Sequence, residues 1–544
     1  MSERERHPST PRRDVVLLTL LAALLFLPGL GRRDLWNPDE PRYGQVAREM
    51  RATGEYVVPH YNGRLYTQKP PLMFWAMALS GAVLGDLDET AVRLPSALAA
   101  IGSVLLVYWM GLRLFDRRTA WLAAIVLATC SKILWQARVG QIDMLLTFLV
   151  LCGVSCWTKG RLEGRPAFSY LFFVFAGLAT LAKGPVGLLP PLLSILLFLL
   201  LTLDGPGFRD LRIARGLLLW WGIVVLWLAP AVLLGGDTYS QEILLRQNVT
   251  RYVKPWGHYQ PPWYFLQVLP VDFLPWSLFL PAAIAAGRTL DVKRRRHLLF
   301  LGCWVVVTVL FFSVSPGKRT VYILTCYPAL ALLTGAGLAA LSRVKRSERS
   351  WVRWLAWPAG VFALLLWIVT LAAPSASRWV EVPSFATQLL VPVAIGIGVL
   401  ALAATVAFAF ALRQRVVPMV AALALGLAVT TLPLFLWLAP RLDSELSLRS
   451  LAETIDREMP AGHTLASFHE MEGGLLFYGA GPAREIANEK DFAALRASGK
   501  RFWLIVDPDD RGGLPWPLDL PEVARQNESD DGVRIFASSP GAGR

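Results

Sequence analysis

Acidic residues suited to proton transfer stand at two places beside long apolar runs. Asp39 and Glu40 lie in the stretch LWNPDEPRYGQVAREM, and Asp143 follows WQARVGQI at the start of another apolar run. Carboxylates accept protons in general base catalysis. An acid at the start of an apolar run is costly to bury and is usually functional. The pattern therefore favours a chemical role for these acids, most clearly for Asp143.

Cationic and aromatic side chains accumulate in similar segments between the apolar runs. Arginine and lysine bind phosphate, and aromatic rings pack against sugars or anchor at a membrane interface. The residues of this kind that we single out are Arg42, Tyr43, Lys69, Arg138, Lys183, Arg251, Tyr252, His258, Lys318 and Tyr322.

Several of these residues also have a structural interpretation. Asp39 before Glu40 and Pro41 is typical of a helix N-cap, a role that is compatible with a chemical one. Lys183 and Lys318 stand at the ends of apolar runs, where lysine often extends its ammonium to the interface. Taken alone, both lysines are better explained in this way.

The composition indicates which class of protein must position these residues. The chain has 544 residues, of which 54% are hydrophobic and only 17% are charged. A soluble domain averages about a quarter charged residues, so this chain is expected to cross a membrane many times. Its net charge of +14 is better explained by basic cytoplasmic loops than by nucleic-acid binding.

Apolar runs long enough to cross a bilayer, about 20 residues each, predict roughly thirteen transmembrane helices. A shorter apolar stretch at 71–85 predicts a juxtamembrane helix. The runs are 15–31, 92–113, 119–135, 143–158, 167–182, 185–203, 216–234, 264–286, 298–314, 322–341, 352–373, 388–411 and 417–438. The first run has no small-residue cleavage site, so we expect it to be retained rather than removed as a signal peptide.

The distribution of Arg and Lys predicts the orientation of these helices. With the N-terminus in the cytoplasm, the alternate loops RLFDRRTA, KGRLEGR, FRDLRIAR and RTLDVKRRRH are all basic, as the positive-inside rule requires. The candidate residues named above then share the opposite, extracytoplasmic surface. Acids beside cations and aromatic rings at a bilayer surface suit a lipid-linked phosphate substrate.

The last part of the chain changes character. Residues 440–544 alternate helix-like and strand-like periods between Gly, Pro and Asp turns. The expected organisation is a transmembrane domain over 1–439, with extracytoplasmic juxtamembrane helices at 40–85, and an extracytoplasmic α/β domain over 440–544.

Several motifs occur in an order that resembles a known family. LWNPDEPRYGQVAREM, TQKPPLMFW, LAKGPVGLLPP, the RY before PPWYF, and FFSVSPGKRTVYILTCYPALALL are similar to the C-type (GT-C) membrane glycosyltransferases. Within that class they resemble the lipid A 4-amino-4-deoxy-L-arabinose transferases and their protein mannosyltransferase relatives. The resemblance covers residues 15–340 approximately.

The resemblance implies a GT-C fold in the bacterial inner membrane and an inverting sugar transfer at its periplasmic face. The donor would be a polyprenyl-phosphate sugar, and the acceptor lipid A or another lipid or glycan. Catalysis would use Asp39 and Asp143, with Glu40 beside them. The donor phosphate would be held by Lys69, Arg251, Tyr322 and Lys318, and the rest of the substrates by Arg42, Tyr43, Arg138, Tyr252 and His258.

Other interpretations stay open at this stage. Another sugar, a hexose or uronic acid, could be transferred to lipid A core, protein or glycan. A lipid or sugar transporter would show internal repeats and mid-membrane charges, and the sequence shows neither clearly. A receptor would not need thirteen spans, so both alternatives are less favoured than an enzyme. The histidines and the five cysteines show no metal-ligand spacing, so no metal site or cofactor is predicted, and a requirement for a divalent metal is left open.

Overall fold

The computed structural model describes residues 11–243, 257–343, 353–379, 384–507, 519–526 and 532–538. These residues form two compact units. The first consists of the described residues up to Leu30, Thr67–Met73 and Arg93–Leu438. The second consists of Gly31–Tyr66, Phe74–Val92 and the described residues from Ala439 onwards. The division at 439 that the sequence suggested stays a prediction.

The first unit is built from apolar helices, because a helix satisfies its own backbone polar groups where no water is present. Its main helices are Arg12–Phe26, Glu89–Leu114, Arg117–Ala128, Ser131–Gln136, Ile142–Glu163, Phe168–Lys183, Leu189–Leu201, Gly205–Asp210, Ile213–Gln241, Tyr264–Asp272, Leu280–Gly287, Val292–Val314, Tyr327–Leu341, Arg353–Ala372, Leu390–Leu412 and Val416–Pro433. The first residues of Glu89–Leu114 belong to the second unit.

Within the described residues, nine helices are long and apolar enough to cross a membrane, or ten if one bent pair counts as a span. The prediction of a polytopic helical protein is thereby confirmed, whereas the count of thirteen stays a prediction. The run at 264–286 is not one straight helix, since Tyr264–Asp272 and Trp276–Gly287 are bent by 102°. The run at 119–135 is divided between the helices Arg117–Ala128 and Ser131–Gln136.

The second unit combines helices with a mixed sheet. Its strands are β1 (His60–Tyr61), β2 (Arg64–Leu65), β3 (Thr464–Phe468), β4 (Arg484–Ile486), β5 (Phe502–Val506), β6 (Glu522–Arg525) and β7 (Arg534–Ala537). Five of them form a sheet in the order β4-β3-β5-β7-β6, in which β3 is parallel to β4 and β5, and β7 is antiparallel to β5 and β6. The helices are Asp39–Thr53, Leu72–Leu84, Asp443–Leu446, Arg449–Glu458, Gly473–Phe477 and Glu489–Ala497. The first two residues of Leu72–Leu84 belong to the first unit.

Strand β5 is buried along its whole length, as expected for a central strand of a sheet covered on both faces. Its side chains Phe502, Leu504 and Val506 pack with Phe492 and Leu495 of the helix Glu489–Ala497. That helix is capped at its N-terminus by the Asn488 side chain, which accepts from the backbone N–H groups of two following residues. The sheet and this helix therefore share one hydrophobic core.

Candidate functional site

In the first unit, three polar residues from distant parts of the sequence form one cluster. Asp143 and Lys183 make an ion pair, and both side chains are largely buried, at 10% and 15% exposure. The Lys183 ammonium also lies 4.7 Å from the centroid of the Tyr322 ring, close enough for a cation–π interaction. The structure therefore brings together two of the predicted site residues, Asp143 and Tyr322.

Local backbone geometry holds this cluster in place. Asp143 is in the first turn of the helix Ile142–Glu163, where the helix dipole favours a negative charge. Lys183 is the last residue of the helix Phe168–Lys183, and Gly184 follows with φ +79°, a conformation that glycine adopts without strain. The turn that follows is tight, since a Cβ at Gly187 would lie 2.5 Å from the carbonyl carbon of Ala179.

Lys183 corrects an expectation drawn from the sequence. The sequence alone favoured a lysine that extends to the membrane interface, but the structure pairs its ammonium with Asp143. A nearly buried carboxylate is stable only when it is paired or hydrogen-bonded. Lys183 therefore belongs to the candidate site.

A second polar cluster of the first unit was missed by sequence reasoning. The ammonium of Lys132 donates to the Thr320 hydroxyl at 2.7 Å and lies 3.2 Å from the carboxylate of Asp272. The Lys132 and Asp272 side chains are 12% and 18% exposed. Thr320 begins the short 3₁₀ helix Thr320–Cys326, which also carries Tyr322. A lone lysine in TCSKILW and a lone acid in LPVDFLPW, both inside apolar sequence, were the available signals.

Lys318 lies within a short turn. It is 3% exposed, and its ammonium donates to the backbone carbonyls of Gln260 and Ser315 at 2.8 and 2.5 Å. The backbone N–H of Lys318 also donates to the carbonyl of His258 at 2.9 Å. These contacts join the segment 315–318 to the segment 258–260, and a role for Lys318 in phosphate binding stays a prediction.

The remaining predicted residues of this region are Arg138, His258, Lys69, Arg251 and Tyr252. Arg138 is 2% exposed, donates to the carbonyls of Leu25 and Pro28, and lies 4.5 Å from the Phe435 ring centroid. His258 is exposed and Lys69 is half-buried. The two remaining candidates, Arg251 and Tyr252, lie outside the described residues.

In the second unit, Asp39 is the first residue of the helix Asp39–Thr53. The residue at the N-cap position is Pro38 and it makes no side-chain hydrogen bond, so the expected cap by Asp39 is wrong by one position. Glu40 is buried, and its carboxylate accepts from Arg33 at 2.7 Å and from the backbone N–H of Trp36 at 3.3 Å. This pair holds the turn that leads into the helix, and a catalytic role for Glu40 stays a prediction.

Arg42 and Tyr43 lie on different sides of the same helix. Tyr43 is 5% exposed and packs edge-on against Phe74 at 5.6 Å. The Arg42 guanidinium lies 3.3 Å from the Glu470 carboxylate and 5.7 Å from the Tyr61 ring centroid. Burial lowers the pKa of Arg42, but the charges of Glu470 and Tyr61 outweigh burial and raise it above its usual value. The pKa of Glu470 is also raised above its usual value, because the effect of burial exceeds the lowering by Arg42.

The sequence predicted no metal site. Among the described residues, no group of three or more His, Cys, Asp or Glu side chains is arranged to hold a metal ion. The five cysteines are free thiols, four of them buried.

The chain is similar in sequence to transferases named for lipid-phosphate sugar donors. A family model described as dolichyl-phosphate-mannose-protein mannosyltransferase matches residues 68–233. The undecaprenyl phosphate-alpha-4-amino-4-deoxy-L-arabinose arabinosyl transferase of Aeromonas salmonicida is 33% identical over 333 residues, which is 60% of each chain. The enzyme of the same name from Pseudomonas aeruginosa is 32% identical over 343 residues, 61% of each chain. The similarity therefore spans about three fifths of the length of these relatives.

The structural similarity extends further than the sequence similarity. The crystal structure of ArnT from Cupriavidus metallidurans bound to undecaprenyl phosphate matches 98% of this chain and 100% of its own, with a TM-score of 0.80 and 24% identity. The chain has the fold of ArnT. It is a multi-pass membrane protein with the GT-C architecture, as the resemblance of its motifs implied.

Proposed function

We propose that the protein is a glycosyltransferase that moves 4-amino-4-deoxy-L-arabinose from undecaprenyl phosphate to a phosphate of lipid A. The observation that carries this proposal is the similarity to two enzymes named for that sugar and that lipid carrier, at 33% and 32% identity. The proposed site is the outer, periplasmic face of the bacterial inner membrane, with the N-terminus in the cytoplasm. The C-terminal part of the chain is periplasmic in this proposal.

The chemistry is an inverting displacement at the anomeric carbon. The acceptor oxygen bonds to that carbon as the bond to the polyprenyl phosphate oxygen breaks, and the electron pair leaves with the phosphate. Negative charge builds on the departing phosphate, so cations and hydrogen-bond donors placed there lower the barrier. Lys69, Arg251 and Tyr322 supply these donors in this proposal.

The acids have a different task. The reacting carbon becomes positively charged in the transition state, and the sugar carries an amine. Asp143, held at the start of its helix by Lys183, presents a fixed carboxylate for one of these positive charges. A phosphate acceptor is already ionised and needs little help from a base, so Asp39 then orients the acceptor or the amine of the sugar. With a hydroxyl acceptor, Asp39 would instead accept the hydroxyl proton as a general base.

The test is mass spectrometry of lipid A from cells that make the donor, with and without the gene. We expect a pentosamine mass increment that requires the gene and is lost in an Asp39→Asn variant. Asp456→Asn is the matched control, because Asp456 is exposed on the helix Arg449–Glu458 and should leave the increment intact. Unmodified lipid A in cells with demonstrated donor and full-length protein would refute the proposal, and a hexose or uronic acid increment would assign a different sugar.

A further inference from the structure

A cavity of about 200 Å³ lies in the first unit among the helices Ile142–Glu163, Leu189–Leu201 and Val292–Val314. We define the basic cavity by the side chains that carry the argument: Thr158, Arg161, Phe198, Lys293, Arg296 and Phe300. Its volume is several times the roughly 30 Å³ of one liquid water. Arg161 is 18 positions after Asp143 on the same helix, which places the cavity about 27 Å along the helix axis from the candidate site.

The lining of the basic cavity combines cationic and aromatic side chains. No Asp or Glu is among its described lining residues. Arg161 and Arg296 both bond to one oxygen of Asp204, at 2.5 and 2.9 Å, so one negative charge is shared by two positive charges. Lys293 adds a third cation to the lining. Arg161 and Arg296 together therefore carry one more positive charge than Asp204 neutralises.

The two guanidinium groups retain donors for a further anion. Within the described part of the chain, each uses one terminal nitrogen on Asp204, whereas a guanidinium has five N–H donors. Their side chains are 27% and 47% exposed, so they reach the surface. Each is also held over an aromatic ring, Arg161 at 5.5 Å from Trp157 and Arg296 at 5.8 Å from Phe198, which limits the rotamer freedom that binding would otherwise remove.

Thr158 is part of the wall of the basic cavity, and its hydroxyl oxygen is buried within that wall. The residue is 4% exposed, and its hydroxyl has no hydrogen-bond partner among the described residues. The residue lines the basic cavity beside the two arginines. A buried hydroxyl without a partner costs free energy, so Thr158 is a polar position of the wall and not itself a ligand contact.

We propose that the basic cavity binds the headgroup phosphate of an anionic phospholipid. Charge complementarity favours an anion, and basic pockets between transmembrane helices on the cytoplasmic side are suited to lipid phosphates. The flanking loops KGRLEGR and RTLDVKRRRH are those predicted to be cytoplasmic. Phe198 and Phe300, whose rings lie 5.4 Å apart, provide an apolar wall for the glycerol and upper acyl chains. The proposal does not rest on the proposed transferase activity.

The test measures lipid binding to the purified full chain in detergent, without an activity assay. Mixed micelles that contain phosphatidylglycerol are compared with micelles that contain phosphatidylcholine, and inorganic phosphate is added alone in a third arm. We expect at least fivefold tighter binding of phosphatidylglycerol, by native mass spectrometry or by the lipid-dependent shift in Tm. Each cation near a lipid phosphate contributes about fivefold, so Lys293→Gln should reduce the preference by about that factor.

Two further variants decide whether the binding is at the basic cavity. Arg161→Gln removes one of the two guanidinium groups in the lining, and it should also weaken phosphatidylglycerol binding. Arg295→Gln removes the same charge from an exposed position of the same helix and should change binding less than twofold. Equal binding of both lipids, equal loss in Arg295→Gln, or unchanged binding in both cavity variants would overturn the proposal. Saturation by inorganic phosphate alone would assign a free anion site instead.

Discussion

The helix Ile142–Glu163 has an ion-pair cluster near each end, and the two clusters differ in charge balance. Near its start, one carboxylate of Asp143 meets one ammonium of Lys183 over the Tyr322 ring. Near its end, one carboxylate of Asp204 is shared by Arg161 and Arg296, and Lys293 lines the cavity beside them. The first cluster is compensated and largely buried, whereas the second has surplus positive charge and reaches the surface.

The difference separates two uses of charge in a membrane protein. A compensated buried pair fixes a carboxylate in one orientation, which suits a site where a substrate charge must be met at a defined position. A surplus of exposed arginine and lysine instead attracts anions and orients the protein in the bilayer. If this distinction is correct, neutralising a residue at the first end should affect turnover, and neutralising one at the second should affect lipid binding and stability.

The largest expected effect is at the first end. Lys183→Met should lower turnover at least 100-fold, because the nearly buried Asp143 carboxylate loses its cation and its orientation. Turnover is measured with polyprenyl-phosphate sugar donor and lipid A in detergent. Lys159→Met removes the same charge near the other end of the same helix and should keep turnover within twofold of the parent. Equal turnover in the two variants would remove the proposed distinction between the ends.

A smaller effect is expected from the neighbouring cluster of the first unit. Lys132→Met leaves the Asp272 carboxylate without its cation and the Thr320 hydroxyl without its donor, so we expect the free energy of unfolding to fall by about 2 kcal/mol. We also expect about tenfold lower turnover, because Tyr322 lies on the same short helix as Thr320 and would be displaced. Lys132→Arg should recover most of the turnover, since the charge is kept. The Tm in detergent and the turnover check this, and a lower Tm with unchanged turnover would limit Lys132 to a structural role.

The smallest effect is expected at the second end. Asp204→Asn should leave turnover unchanged and lower the free energy of unfolding by about 1 kcal/mol, because the two arginines lose their shared carboxylate. The loss is small because asparagine can still cap the helix Gly205–Asp210. Affinity for phosphatidylglycerol should rise a fewfold, since the cavity then has one more uncompensated cation. Unchanged or weaker phosphatidylglycerol binding would contradict the charge balance described for the basic cavity.

Much of the fold was predictable because membrane helices have a strong one-dimensional signal. Long apolar runs mark them, and composition placed the chain in the right class. The prediction was less accurate where apolar sequence does not form a straight helix, as between Asp272 and Trp276. A run of apolar residues indicates burial or lipid contact, but it does not say where the backbone bends.

The candidate site was predictable only in part. Asp143 was identifiable because a charge at the edge of an apolar run is expensive, and the same rule would have found Lys132 and Asp272. Lys183 was assigned to the membrane interface because it stands at the end of an apolar run. Its pairing was missed because Asp143 lies 40 positions earlier in the sequence, and sequence spacing carries no information on such a pair.

The sequence by itself determined the class of this protein, since hydropathy and charge depend on local composition. It also determined the motifs by which the chain resembles membrane glycosyltransferases. Only the tertiary structure decided which charges are paired: Asp143 with Lys183, Asp272 with Lys132, and Asp204 with two arginines. The physical reason is that a charge in a low-dielectric interior interacts strongly with whatever packing places within a few ångströms, and helix packing joins residues that are far apart in the chain.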